Sequence, residues 1–261
     1  MIKFFRKIRQ RLLAEIRFNK YVLYAIGEIV LVVIGILIAL QINNWNEERK
    51  TRRQEVKYLK NLHKDISLEF VNNDSIIRYR AQTAKAAANM LNLKELKTVE
   101  DLLELEKLIQ KVFRRVNFIP TNNTYKELLS SGNLNFITND TIKEYLLNLD
   151  KEYREIANVE YHMYREYEEY LYNPAVRNSE IINLFDLQKT ADKEGLMFKK
   201  LSEINVEIIN PQYNKLLQIG EFKNGLKLSV MNNVSLKKFH DKLALNLHKL
   251  IALIEKEILR N

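Results

Sequence analysis

Residues 21–42 read YVLYAIGEIVLVVIGILIALQI, 22 residues with a single charge at Glu28. A helix of this length spans roughly 33 Å, enough to cross a hydrocarbon core of about 30 Å. Fourteen of the 22 are Leu, Ile or Val. Together they favour insertion by roughly 4 to 8 kcal/mol, against a cost of about 3 kcal/mol for one central carboxylate. The stretch therefore predicts a transmembrane helix over 21–42. Tyr21 and Tyr24 at one end, and Trp45, the only Trp, at the other, take the interfacial positions that amphipathic rings favour. The run exceeds the roughly 7–15 apolar residues of a secretory peptide and ends in Leu40, Gln41, Ile42, Asn43 with no small-x-small site. An uncleaved anchor is expected.

On the N-terminal side, residues 1–20 carry Lys3, Arg6, Lys7, Arg9, Arg11, Arg17 and Lys20 against Glu15 alone, two-thirds of the chain's net charge of +9. Phe5, Ile8, Leu12 and Ile16 recur between them at helical spacing. That pattern predicts a basic amphipathic tail lying on anionic lipid headgroups. A short basic tail stays cytoplasmic, whereas Arg49, Lys50, Arg52 and Arg53 beyond the span are offset by Glu47, Glu48 and Glu55. The expected topology is N-terminus cytoplasmic, with 43–261 as an extracytoplasmic domain, periplasmic in a Gram-negative cell. The remaining charge is near balance, so nucleic acid is not an expected partner.

The segment KYVLYAIGEIVLVVIGILIALQINNWNEERK, 20–50, resembles the hallmark of an uncharacterised bacterial family of single-span membrane proteins, a domain of unknown function common in flavobacteria and their relatives. TYKELLSSGNLNFITND, 124–140, is similar to that family's second recognisable stretch. The resemblance implies an N-terminal anchor, a helical remainder and a Gram-negative envelope, and the anchor with its basic tail places the expected protein in a bacterial inner membrane. It brings no activity with it.

On the C-terminal side the composition speaks for helices, since 261 residues with six Gly and three Pro leave little for the turns of sandwiches and barrels. Val56, Leu59, Leu62, Ile66, Phe70, Ile77, Ala84, Ala88 and Leu91 recur at three and four. They predict a stalk-like helix from Trp45 to Leu93 that can continue the span, with Asn72, Asn73 and Asp74 as a candidate break. Thr98 and Asp101 predict a capped helix to Val116, with Pro120 ending the connection. A short helix Asn123–Ser131 should stop at Gly132. Thr138–Asp140 should cap a long one to Tyr172, closed by Pro174. Helix is then expected at Ser179–Asp186 and Phe198–Ile209, with a connection near Gly195 and Pro211 in the first turn of a further helix. Leu236, Phe239, Leu243, Leu247, Leu250 and Ile254 mark a final helix. The predicted fold class is all-α: a transmembrane helix, a long stalk-like helix and an antiparallel helical bundle.

Glu28 is the sharpest polar feature: an intramembrane carboxylate either makes a structural contact with a neighbouring span, reaches toward the interface, or relays protons or ions. Gly35 and Ala39 form a small-xxx-small pair that lets helix backbones approach, predicting self-association or docking on another membrane protein. His162, Glu166 and Glu169 share a helical face, but Val159 stands where a carboxylate-bridged bundle needs Glu, so no metal is expected. Tyr164, Tyr167 and Leu171 read as a half-buried stripe with hydroxyls at the rim. With no Cys, no phosphate-cradling Gly loop and no nucleophile elbow, neither a cofactor nor catalysis is expected, and Ser130 and Ser131 read as a helix end. The expected function is a non-enzymatic envelope protein that scaffolds, docks or senses through its bundle. The alternatives are an accessory subunit of an ion-driven transporter or motor, with Glu28 as its relay, and a one-pass sensor whose bundle binds a small ligand.

Overall fold

The computed structural model describes residues 6, 18–179 and 205–260, and all regular structure among them is helical. The chain divides into two compact units, 1–57 and 58–261. Helix α1 runs Phe18–Leu91 over 74 residues. In the first unit its side chains from Val22 to Trp45 stay largely exposed, and none of its apolar window is buried in the chain. The expected break at 72–74 does not occur. Asp74 is tied to Arg78 one turn on, and the Asn73 amide is used in a tertiary contact.

The second unit is built by the rest of α1 with α2 (Val99–Phe113), α3 (Asn123–Ser130), a 3₁₀ turn (Asn133–Phe136), α4 (Asp140–Tyr167), α5 (Asn173–Asn178), α6 (Val206–Gln218) and α7 (Gly220–Ile258). Three long helices carry it. α7 runs antiparallel to α4, as the contacts Asn139–Glu257, Glu152–Asn246 and Glu166–Asn232 show. It is antiparallel to α1 as well, through His63–Glu255, Asn73–His240 and Arg80–Asn233. α1 and α4 therefore run parallel, which requires the long connection through α2 and α3.

Two apolar clusters hold these helices. One joins Leu59, Leu62 and Ile66 of α1 to Leu128, to Ile142, Leu146 and Ile156 of α4, and to Leu236, Leu243, Leu247, Leu250 and Ile254 of α7. The other joins Ala86, Ala87 and Met90 of α1 to Leu102 and Leu105 of α2, Leu216 of α6, and Phe222 and Leu226 of α7. The expected stripe on α1 drifts in its upper part, where Ala88 and Leu91 are only half-buried while Thr83, Ala86, Ala87 and Met90 are buried. A straight helix rotates its buried face about 20° per heptad, so a strict heptad reading slips off it.

The predicted caps at Thr98 and Gly132 are present: Asp101 N donates to Thr98 Oγ1 at 3.2 Å, Thr98 N donates to Asp101 Oδ2 at 2.9 Å, and Gly132 sits at φ +70°. Asn139 caps α4, accepting from Ile142 N at 3.3 Å. Three boundaries differ from expectation. α2 ends at Phe113 rather than Val116, because the backbone beyond it is bonded to other helices. Pro174 does not close the long helix. Asn173 N–H bonds back five residues to the Glu168 carbonyl, a π turn over Glu168–Tyr172 that widens the helix enough to absorb the proline before α5.

The third difference is at α6. Asn205 caps it, accepting from Glu207 N at 3.0 Å, so a helix through Ile209 starts at Val206 and Pro211 lies inside it, past the first turn. The expected helix at Ser179–Asp186 falls beyond the described residues apart from Ser179, which is extended. The connection near Gly195 and residues 198–204 also lie outside them.

Candidate functional site

Between the two apolar clusters lies a layer of buried polar side chains: Asn73, Arg80 and Thr83 on α1, Glu160 on α4, and Ser229, Asn233 and His240 on α7. Each occupies an inward position at helical spacing from the apolar residues around it, so the helices that build the core also deliver this layer. Arg80 is 1% exposed and pairs with Glu160. Its guanidinium also donates to Val116 O at 3.1 Å, Asn233 Oδ1 at 3.4 Å and Met163 Sδ at 3.9 Å. His240 Nδ1 donates to Asn73 Oδ1 at 2.7 Å, while Asn73 Nδ2 donates to His240 O at 2.9 Å. A carbonyl can only accept, so this reciprocal pair fixes the ring as the Nδ1–H tautomer. His240 Nε2 is buried without a partner, and its ring packs edge-on against Phe118 at 5.0 Å.

The layer has a definite task. Residues 114–122 form an extended strap, and its backbone groups are met by side chains from α1 and α4. Phe118 N donates to both oxygens of Glu160 at 3.2 Å and Thr121 N donates to Glu69, while just past the strap, in the first turn of α3, Thr124 N donates to Asp65 Oδ2 at 2.8 Å. In the other direction Tyr79 OH donates to Arg114 O and Tyr164 OH to Val116 O at 2.7 Å. Just before the strap, Tyr167 OH donates to Phe113 O at 3.3 Å. Backbone that leaves a helix inside a folded domain must find such partners. Tyr164 and Tyr167 are half-buried and Leu171 is buried, as the stripe predicted, and the two hydroxyls hold carbonyls at the start of this segment.

Burial governs the titration of the layer. Desolvation pushes the Glu160 carboxyl above the usual range, against the pull of the Arg80 guanidinium and the Phe118 amide. Glu69 is raised for the same reason, against hydrogen bonds from Thr121 and Tyr153. His240 is pushed down to about 4 by burial and by the nearby Arg80 charge, and is neutral at pH 7.

Two openings adjoin these elements. One, lined by Tyr79, Arg80, Arg114, Arg115, Tyr164 and Asn232 among others, has a cavity volume of about 30 Å³, room for a water or two. The other lies within the second apolar cluster, between α2, α6 and the π turn, and measures about 280 Å³.

The residues singled out in the sequence lie elsewhere. Glu28 and Tyr24 are partly exposed and one helical turn apart on α1; Gly35 and Ala39 are exposed, with nothing within 4 Å of a Cβ built on Gly35. Trp45 is exposed, with the Arg49 guanidinium 5.7 Å from its ring. Arg6 is helical and exposed, and Lys20 and the backbone of Tyr21 belong to α1. Lys3, Lys7, Arg9, Arg11 and Arg17 lie outside the described residues. His162 Nε2 meets Glu166 Oε1 at 3.3 Å, Glu166 also accepts from Asn232, and Glu169 is exposed. Among the described residues no group of three His, Asp or Glu is placed to share a metal ion. The polar layer itself was missed, although Glu69, Asn73 and Arg80 continue the spacing of Leu59, Leu62 and Ile66; polar residues on an apolar stripe were the available signal.

A model of DUF6090, a family of unknown function, matches residues 28–190. No curated protein and no solved structure matches the chain.

Proposed function

The chain belongs to DUF6090, whose description assigns no function, and on its own residues we propose a single-span membrane-anchored docking or sensing module that acts by binding rather than by catalysis. One observation carries the reading: α1 is long and apolar enough to cross a membrane, and none of its apolar window is buried in the chain. Fourteen aliphatic side chains over 21–42 need another apolar surrounding, which a bilayer supplies. In this reading residues 21–42 act as an uncleaved signal anchor in a bacterial inner membrane. The basic tail stays cytoplasmic on anionic headgroups, and 43–261 forms the periplasmic domain. The open face at Gly35 and Ala39 supports association with a second copy or another span. The engagement of Arg80 and Glu160 with the strap supports a structural use of the buried charges.

The test is alkaline extraction of membranes combined with crosslinking inside the bilayer. The full chain is expected to stay in the pellet, and Gly35→Ile to abolish the crosslinked species without releasing the chain. Release of the full chain into the supernatant would overturn the anchor. Undiminished crosslinking in Gly35→Ile would overturn association through this face.

A further inference from the structure

We infer that the cleft where α1, α4 and the start of the strap meet is a binding site for a phosphate group, held by Arg114 and Arg115. The site begins with the backbone. Three tyrosine hydroxyls donate to carbonyls over four residues: Tyr167 to Phe113, Tyr79 to Arg114 and Tyr164 to Val116. The two arginines within that stretch lay their guanidinium groups on two of the same rings. Arg114 Cζ is 5.9 Å from the Tyr79 centroid, and Arg115 Cζ is 4.0 Å from that of Tyr164. A guanidinium stacked on an aromatic face keeps its N–H edge available to donate, and the fixed ring reduces the freedom lost when it does.

Both arginines are exposed, and among the described residues neither is paired with a carboxylate. Arg80 adds a third guanidinium to the lining, with its Cζ 5.2 Å from the Tyr79 ring. Its charge is matched by Glu160, but its Nε is buried and unpartnered. Such a donor carries a desolvation cost that an oxygen drawn toward it would recover. Glu166 is the one carboxylate among the described lining residues, and both its oxygens are engaged, by Asn232 Nδ2 at 2.6 Å and His162 Nε2 at 3.3 Å. The cleft thus keeps positive charge for a ligand. Its recess of about 30 Å³ holds a water or two, so the ligand rests at the open mouth against Arg114 and Arg115. Seated on rings from two different helices, the two groups approach from two sides, which suits a tetrahedral oxyanion better than a planar carboxylate. Inorganic phosphate and a phospholipid head group share that chemistry. The inference deepens the binding reading by naming a ligand class, and rests on it.

The test is arginine modification. The full chain in phosphatidylcholine nanodiscs is treated with phenylglyoxal, and the modification of each arginine is followed by mass spectrometry. Millimolar inorganic phosphate, against sodium chloride of equal ionic strength, is expected to slow modification of Arg114 and Arg115 about threefold or more and to leave exposed Arg177 unchanged. A lipid source shows instead as the same protection without added phosphate when phosphatidylglycerol replaces part of the lipid. Either result supports the site and assigns its source. Arg115→Gln leaves the three tyrosine–carbonyl bonds in place and should abolish the protection at Arg114. No protection in either arm, equal slowing at Arg177, or protection at Arg114 that survives Arg115→Gln would overturn the site. Alkaline extraction scores the anchor separately, so a retained chain with unprotected arginines overturns the phosphate site and leaves the anchor standing.

Discussion

His240 shows how a single residue can link acid to unfolding. It is fully buried, neutral, and bonded through Nδ1–H to Asn73. Its folded pKa of about 4 lies below the 6.5 of a solvated imidazole. The stability tied to the neutral ring is therefore complete above pH 6.5 and is lost progressively as pH falls toward 4, to a total of about 3 kcal/mol. Glu69 and Glu160 act in the opposite sense, because a carboxyl raised by burial binds its proton more tightly in the folded chain. A comparison isolates the imidazole: His240→Asn keeps a donor toward Asn73 and cannot titrate. Its melting temperature should be lower than wild type at pH 7, and its decline between pH 6.5 and 4 flatter, by thermal melts across that range. Equal slopes for the two proteins would remove His240 from the acid response.

Among the elements, the strap and the π turn decide the most. The strap leaves helix α2 early and hands its amides and carbonyls to Glu69, Tyr79, Arg80, Glu160 and Tyr164. Removing one member strands the others. Glu160→Leu is expected to cost about 3–5 kcal/mol in chemical denaturation, as Arg80 would be left buried without its counter-ion. Adding Arg80→Met should cost less than the sum of the two single changes. The π turn depends on α7 in turn. A Cβ on Gly225 would lie 2.5 Å from the Tyr170 carbonyl and 2.8 Å from Leu171 Cδ2. That carbonyl is the one Pro174 cannot serve, since proline has no N–H to return to it. Gly225→Ala should therefore destabilise by about 1–3 kcal/mol, whereas Gly35→Ala, with nothing within 4 Å, should leave the fold's stability unchanged.

At the scale of the second unit, the polar layer separates two apolar clusters that share the same long helices. α7 gives Phe222 and Leu226 to one and Leu236–Ile254 to the other, and α1 contributes to both. Shared helices make the clusters one cooperative structure. Leu243→Ala in the first and Leu216→Ala in the second should each lower a single melting transition, at about 2–5 kcal/mol apiece, with far- and near-ultraviolet dichroism coincident. Two separated transitions would show that the layer insulates the clusters.

The sequence by itself determined the helical class, the apolar span at 21–42, the caps at Thr98 and Gly132 and the final helix, because each rests on neighbours within about seven residues, where spacing and backbone chemistry act directly. Only the tertiary structure decided the rest. Arg80 lies 80 residues from Glu160 and Asn73 lies 167 from His240, and no local pattern encodes such pairs. The same holds for Pro174 and Pro211, which local rules place at helix boundaries and which the packed helices carry inside.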